Sequence, residues 1–554
     1  MKCIAILEVA CLLLVFPAVV RADAVKLVRV VVPPQGGPVM EAVAQVFARQ
    51  VGDRCDAKVV FSGEGALRVE LGIDPTVGAE GFRIADGPAV VVRVTGGDAR
   101  GLLYGVGKFL RASRYDQGGF TPGAWRGTSA PQCPFRAVYA ATHFMNYYEA
   151  APADEVQRYV EDLGLWGANA FIVHFPTWTF KGFDDPAARR NLDRIRGLLK
   201  AAKAVGLRVG LVQCVNQGFA TAPQEIRAAK HRDDLKRRGY FGINCCPSIP
   251  AGHDYLMKLY AGLFDEYKDV GLDYLVCWPY DEGGCGCEQC RPWGARAYPQ
   301  LSKDVAALAR ARHPDLKVVL STWVYDTPPE GEWEGLTRFL EKDRDWVDYI
   351  MADSHGDFPR YPLEKGVPGG RPLVSFPEIS MWGRSPWGGY GANPLPARYE
   401  GLWRQADGKL SGGMPYSEGI YEDINKVIFL QLYWKKDSRA EDAVREYLAF
   451  EYSPDVADDL LRAVRLLEET WSKQGPKSEG AWALVQKAEA RLTAQARSAW
   501  RWRILALRAR IDAELAQRQG KMEGPVLKAA FEELTRLYHA ENAHSMPVKP
   551  PQVP

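Results

Sequence analysis

Between residues 135 and 416, short apolar runs alternate with amphipathic helical segments, and this alternation restricts the fold more than any other feature of the chain. The runs are Phe135–Ala141, Ala170–Phe175, Arg208–Val215, Tyr274–Trp278, Lys317–Trp323, Tyr349–Ala352, Leu373–Phe376 and Gly413–Tyr416. Helical periodicity fills most of the intervals, as in Asp154–Trp166, Asn191–Val205, Ser302–Ala311 and Ala397–Ala406. Strand followed by helix, repeated, is the pattern of βα units on a parallel sheet. Eight such units over roughly 300 residues predict a (β/α)8 TIM barrel. The longest insertion follows the third run and carries Cys245 and Cys246. The sixth unit is too short for a full helix.

The flanks have other patterns. Residues 25–111 predict a small α/β domain. Its strand-like runs are Val25–Val32, Lys58–Phe61, Leu67–Leu71, Phe82–Ile84 and Val90–Thr95. Its helices are Pro38–Val51 and Ala99–Leu110, the second with Asp98 placed to cap it. Gly, Pro and Ser enrich residues 112–134, which predicts a linker. Beyond the barrel (135–436), residues 437–545 carry helical periodicity and little β signal. Ala440–Glu451, Asp455–Glu469, Gly480–Gln517 and Pro525–Glu541 are expected to be helices of a C-terminal domain. Lys2, the apolar run Ala10–Val20 and the small-residue site Val20-Arg21-Ala22 predict a signal peptide over residues 1–22. The run is too short to span a bilayer, and no later run is long enough. A periplasmic or secreted protein is expected, with no membrane association beyond the signal.

The net charge is +2, so no basic field singles out nucleic acid or anionic membrane as the partner. A carbohydrate suits the chain better, because 16 Trp and 24 Tyr supply flat faces on which sugar rings stack.

In a TIM barrel the active site lies at the C-terminal ends of the strands. After the fourth run come Asp281 and Glu282, after the sixth Asp353, after the seventh Glu378 and after the eighth Glu418. An acid directly after an apolar strand, beside aromatics, sits in a partly desolvated pocket and can hold a proton. Glycoside hydrolysis needs such an acid for the leaving oxygen and a second group as base or nucleophile. The same acids are also suited to capping helices in βα loops. Glu282 is the strongest candidate acid, and Trp278, Trp323, Trp382 and Tyr416 are candidate sugar platforms. His143, His174 and His355 also fall near strand ends, where they could bind hydroxyls.

Cys285, Cys287 and Cys290 follow the acid pair directly, and Cys246 lies in the preceding loop. This spacing suits a structural zinc site, with a disulfide plus a spare thiol as the rival reading. No cofactor is expected for catalysis. The 11 cysteines, nine of them beyond residue 22, argue against complete disulfide pairing.

Gly81-Phe-Arg-Ile84 followed by Gly101-Leu-Leu-Tyr-Gly105 resembles the N-terminal domain shared by beta-hexosaminidases and alpha-glucuronidases. The order of small α/β domain, barrel and helical domain resembles the alpha-glucuronidase family in particular. That resemblance implies an exo-acting, inverting hydrolase with Glu282 as acid and Asp353 with Glu378 as base. The family's Asn- and Asp-bearing first-strand motif is replaced here by His143 and Asn146. The beta-hexosaminidase resemblance implies a retaining enzyme in which Asp281 orients the substrate and Glu282 is the acid. It also aligns Arg136 with that family's substrate-binding arginine, although Trp-Pro-Tyr stands here before the acid pair. A non-catalytic carbohydrate-binding barrel, or a metal- or thiol-dependent enzyme centred on the cysteines, are the other classes the sequence admits.

Overall fold

A computed structural model describes residues 23–143, 146–229, 243–280, 283–326, 331–379, 393–406, 408–472, 479–521 and 523–539. The expected signal peptide, residues 1–22, lies outside them. Among the described residues no helix is long and apolar enough to cross a membrane.

The protein is a (β/α)8 barrel between a small α/β domain and a helical domain. Its strands are Phe135–Ala140, Ala170–His174, Arg208–Cys214, Tyr274–Trp278, Lys317–Ser321, Tyr349–Asp353 and Leu373–Phe376, closed by a broken eighth strand. Each pairs in parallel with the next. The eighth strand has two pieces, Leu410–Gly413 and Tyr416–Ser417, and both pair with the first strand. Closure depends on Gly412 and Gly413, which sit opposite Phe135 and Arg136. A Cβ on Gly412 would lie 1.7 Å from Phe135 O, and its φ of +119° is one that L side chains rarely adopt. A Cβ on Gly413 would lie 2.3 Å from both Ser375 Oγ and Tyr433 OH. The sixth unit has only the short helix Arg360–Glu364.

Inside the barrel, Phe135 packs on Tyr274 and Tyr349, with ring centroids 5.3 and 5.2 Å apart. These rings fill the N-terminal end. Because successive side chains alternate across a strand, Tyr139, Trp278 and Asp353 face the same interior, four residues further on, at the C-terminal rim.

The N-terminal sheet has the order Lys58–Val60, Leu27–Val31, Leu67–Ile73, Val91–Gly96, Phe82–Asp86, Gly127–Ser129. Its helices are Gly37–Arg54 and Ala99–Ala112, and the Asp98 side chain accepts a hydrogen bond from Gly101 N. Segment 112–134, expected to be a linker, is instead ordered sheet. Arg114–Asp116 and Gly119–Thr121 form a hairpin, and Gly127–Ser129 becomes the edge strand. Its Gly and Pro content serves tight turns between short strands, which composition alone does not distinguish from a flexible connection.

Glu80 joins this domain to the barrel floor. Its carboxylate accepts from Arg136 at 2.7 Å, Arg100 and Arg208 at 3.0 Å, and Asn169 Nδ2 at 3.1 Å. Burial alone would raise its pKa, but Arg136 and Arg100, with Arg208, hold it below the usual value. Arg136 is therefore not a substrate ligand. It stands at the N-terminal end of the first strand, fully buried, and its remaining nitrogens donate to Gly167 O and Cys133 O. The sequence position near the barrel was right for a sugar contact only if the residue had stood at the other end of its strand.

The C-terminal domain comprises Ala440–Glu451, Ala457–Ser472, Glu479–Glu489, Ala494–Ser498, Trp500–Gln517 and Pro525–Leu537. The helix expected over Gly480–Gln517 is broken because Thr493 caps a new start, its side chain accepting from Ala496 N. Arg501, buried, binds Asp423 of the barrel at 2.8 Å and Asp162 at 3.1 Å. Tyr538 donates to Glu418 O, so this domain reaches the C-terminal rim of the barrel.

Replacing Glu80 with Gln should leave buried guanidinium charge uncompensated and destabilise the protein by about 3–5 kcal/mol. Denaturant unfolding measures this. A wild-type midpoint in Glu80→Gln would remove Glu80 as the joint.

Candidate active site

The rim of the barrel is lined by aromatic rings from four strands. Phe376 lies 4.8 Å from Trp278, 5.5 Å from Trp323 and 6.1 Å from Tyr416, centroid to centroid. Trp278 and Trp323 are 5.4 Å apart, and Tyr416 meets Tyr139 at 5.3 Å. Trp278, Trp323 and Tyr416 are thus brought together. Phe376 and Tyr139, which the sequence reading did not single out, complete the wall. Their signal was present, since inward strand alternation carries both to the rim.

Asp353 ends the sixth strand, and Glu378 follows the seventh. The strands pair Asp353 with Phe376, and Glu378 stands two residues past that level, in the loop after the neighbouring strand. His355 lies between them in sequence and in space. Its Nδ1 forms an ion pair with Glu378 Oε2, and its backbone N–H donates to Asp353 Oδ1 at 2.8 Å. Burial pushes the Asp353 carboxyl up to about 7, with Glu378 and Asp326 adding to the rise and His355 opposing it. Burial works against a charged His355, but Glu378 and Asp353 prevail and raise its pKa. Asp326, after the fifth strand, is also raised by burial and accepts from Trp333 Nε1 at 3.1 Å. Two carboxyl groups, that of Asp353 with a raised pKa, and the His355 imidazole between them make a proton-handling group inside an aromatic wall.

His143 and His174 meet edge to face, with centroids 5.0 Å apart. His174 Nδ1 donates to Val212 O at 2.7 Å, and burial lowers its pKa to about 4. Burial, then the neighbouring His174, also pushes His143 well down. Both are neutral imidazoles at physiological pH. On the eighth strand Tyr416 OH donates to Glu418 Oε1 at 2.9 Å. Tyr148 OH and Glu422 Oε1 hold Ser417 Oγ at 2.7 and 2.6 Å and fix that loop.

Asp281, Glu282 and Trp382 lie outside the described residues. The chain on either side of the acid pair is firmly held. Tyr280 OH donates to the buried Glu332, and Trp293 Nε1 donates to Pro279 O at 2.6 Å. Asn216, after the third strand, exchanges two hydrogen bonds with Gly284 at 2.9 Å and donates to Cys245 O at 3.1 Å. Asn216 and Glu332 were missed by the sequence reading. Asn216 follows a strand end and was open to the same rule, whereas Glu332 lies within a helix and gave no signal. The Sγ atoms of Cys246, Cys285, Cys287 and Cys290 lie within 4.8 Å of one another, and none of these cysteines is in a disulfide.

No family model matches the sequence, and no curated protein matches it. The fold is similar to that of solved glycoside hydrolases. A family GH115 4-O-methyl-alpha-glucuronidase with specificity for decorated arabinogalactans superposes with a TM-score of 0.60 at 14% identity, over 93% of this chain and 76% of its own. A GH89 enzyme from Clostridium perfringens, solved with its substrate GlcNAc-alpha-1,4-galactose, gives 0.61 at 11% identity, over 90% of this chain and 64% of its own. A GH138 enzyme targeting pectin rhamnogalacturonan II gives 0.55 at 12% identity, over 93% and 73%. At these identities the likeness is one of fold.

An aspartic acid whose folded pKa is about 7 binds more protons in the folded than in the unfolded chain between its unfolded value, near 3.9, and that value. Its contribution to stability therefore falls as pH rises through that window. Asp353→Asn should gain in melting temperature relative to wild type from pH 5 to pH 8. A difference that does not change with pH would contradict the raised pKa.

Proposed function

We propose that the chain is an exo-acting glycoside hydrolase of polysaccharide or glycan, with Glu282 as general acid and Asp353 with Glu378 as base. The observation that carries this reading is the Asp353–His355–Glu378 group at the aromatic rim of the barrel. In an inverting displacement, a water attacks the anomeric carbon and gives its proton to a carboxylate, while an acid on the opposite side protonates the leaving oxygen. A carboxylate with a pKa of about 7 is a better proton acceptor near neutral pH than an ordinary one. His355 holds Glu378 in place and offsets part of the charge that builds up when both carboxylates are ionised. Trp278, Trp323 and Phe376 offer a platform for a sugar ring, and Tyr416 with Glu418 offers hydroxyl ligands at its edge. The fold likeness to glycoside hydrolases of several families supports a glycosidase and leaves the sugar open. The contact of Tyr538 with the Glu418 carbonyl walls one side of the rim, which suits a pocket for a terminal sugar. Residues 1–22 would direct the protein out of the cytoplasm, and N-terminal sequencing of exported material reads this directly.

The test is turnover of aryl glycosides and uronic-acid-capped oligosaccharides, with the product anomer followed by proton NMR. Glu282→Gln and Asp353→Asn should each lower kcat by about 10²- to 10⁴-fold and give no new product. An inverted product supports the base pair. A retained product moves the chemistry to Asp281 and Glu282 in the hexosaminidase manner. Sugar binding without turnover makes the barrel a carbohydrate-binding module, and full turnover by Glu282→Gln removes Glu282 as acid. The pH profile adds a further check. His355 lowers the Asp353 pKa, so His355→Gln should move the acidic limb of kcat/KM to higher pH.

A further inference from the structure

The chemistry just proposed makes no use of four cysteines beside the acid-bearing loop. We propose that Cys246, Cys285, Cys287 and Cys290 bind one zinc ion, in a closed site that fastens the loop after the third barrel strand to the loop after the fourth. This does not depend on the hydrolase reading.

The sulfur geometry separates zinc from its rival. Cys246 Sγ lies 3.7 Å from Cys287 Sγ and 3.8 Å from Cys290 Sγ. Four thiolates about 2.3 Å from a tetrahedral zinc stand about 3.8 Å apart. A disulfide requires about 2.05 Å, so either of these two pairs would have to close by more than about 1.5 Å. All four sulfurs lie within 4.8 Å of one another, so the cluster is compact rather than two separate pairs. Backbone N–H groups also point at the sulfurs, that of Ser248 at Cys246 and that of Cys287 at Cys285. Such donors stabilise thiolate charge. Ser248 Oγ adds a contact of 3.0 Å to Cys290 Sγ.

The burial indicates the role. Cys285 and Cys290 are fully buried and Cys246 nearly so. Four protein sulfurs complete a tetrahedron and leave no position for water or substrate, so the site is structural. Binding releases one proton from each thiol to solvent, and no oxidation state changes. The clamp acts on the loop that matters for the chemistry, because Cys285 lies three residues after Glu282. Asn216 already bridges the same two loops through Gly284 and Cys245. The metal would be the second bridge, and it would hold the acid-bearing segment between two fixed ends.

The experiment is metal analysis of the full chain purified without chelator from zinc-supplemented medium. One zinc per chain is expected, and Cys285→Ser and Cys290→Ser should reduce it to near zero. Denatured wild type with chelator should show the same number of free thiols before and after reduction. Where the variants do not fold, wild type decides. Extraction of its zinc should speed hydrogen exchange in residues 243–249 and 283–291 and leave the barrel strands unchanged. Bound iron in place of zinc, thiols that appear only after reduction, or zinc removal without effect on both loops would each overturn the proposal.

Discussion

The barrel closes where Gly412 and Gly413 meet Phe135 and Arg136, and every statement about the site depends on that contact. A first strand bonded on both flanks fixes the register of the other strands around the circle. The rim positions follow from that register. Asp353 comes level with Phe376, and Glu378 forms a bridge with Tyr416. A Cβ at Gly412 would stand 1.7 Å from Phe135 O and force those two backbones apart. The rim would then lose the placement that brings Asp353 and Glu378 to one His355.

The closed barrel is held to its neighbours by buried charge rather than by apolar surface alone. Glu80 enters the floor and meets Arg136, Arg100 and Arg208. Arg501 enters the side and meets Asp423 and Asp162. Buried ion pairs contribute little net stability when complete, but removing one partner is costly, so they select one arrangement of the domains. The Glu80 joint lies at the barrel floor, away from the rim. The interior at the C-terminal end holds the proton-handling group, where burial raises the pKa of Asp353.

The rim itself shows how position on one strand changes chemistry. His174 ends the second strand, and His355 follows the sixth. His174 faces a carbonyl and another imidazole, and it is neutral. His355 faces two carboxyl groups, and its pKa is raised. Identical residues are shifted in opposite directions because of what the neighbouring strands supply, and no pattern within either segment records it.

Strand and helix periodicity, and with it the (β/α)8 barrel and the rim position of Trp278, Asp353 and Glu378, were determined by the sequence alone. The cause is local, since an apolar run must be buried and its successive side chains must alternate. The grouping of Cys285, Cys287 and Cys290 was also legible, because they are close in the chain, whereas Cys246, 41 residues from Cys287, is brought to them by the fold. Other features required the tertiary structure. Arg136 and Asp353 are both polar residues on barrel strands, but one stands at the floor and the other at the rim, and partners distant in sequence set their roles. Segment 112–134 has the composition of a linker, yet its short strands are ordered by pairing with Phe82–Asp86 and with each other. Asn216 and Glu332 hold the acid-bearing loop through bonds that cross 68 and 52 residues. Such bonds depend on where the barrel brings two segments together, and that is a property of the closed sheet rather than of any stretch of chain.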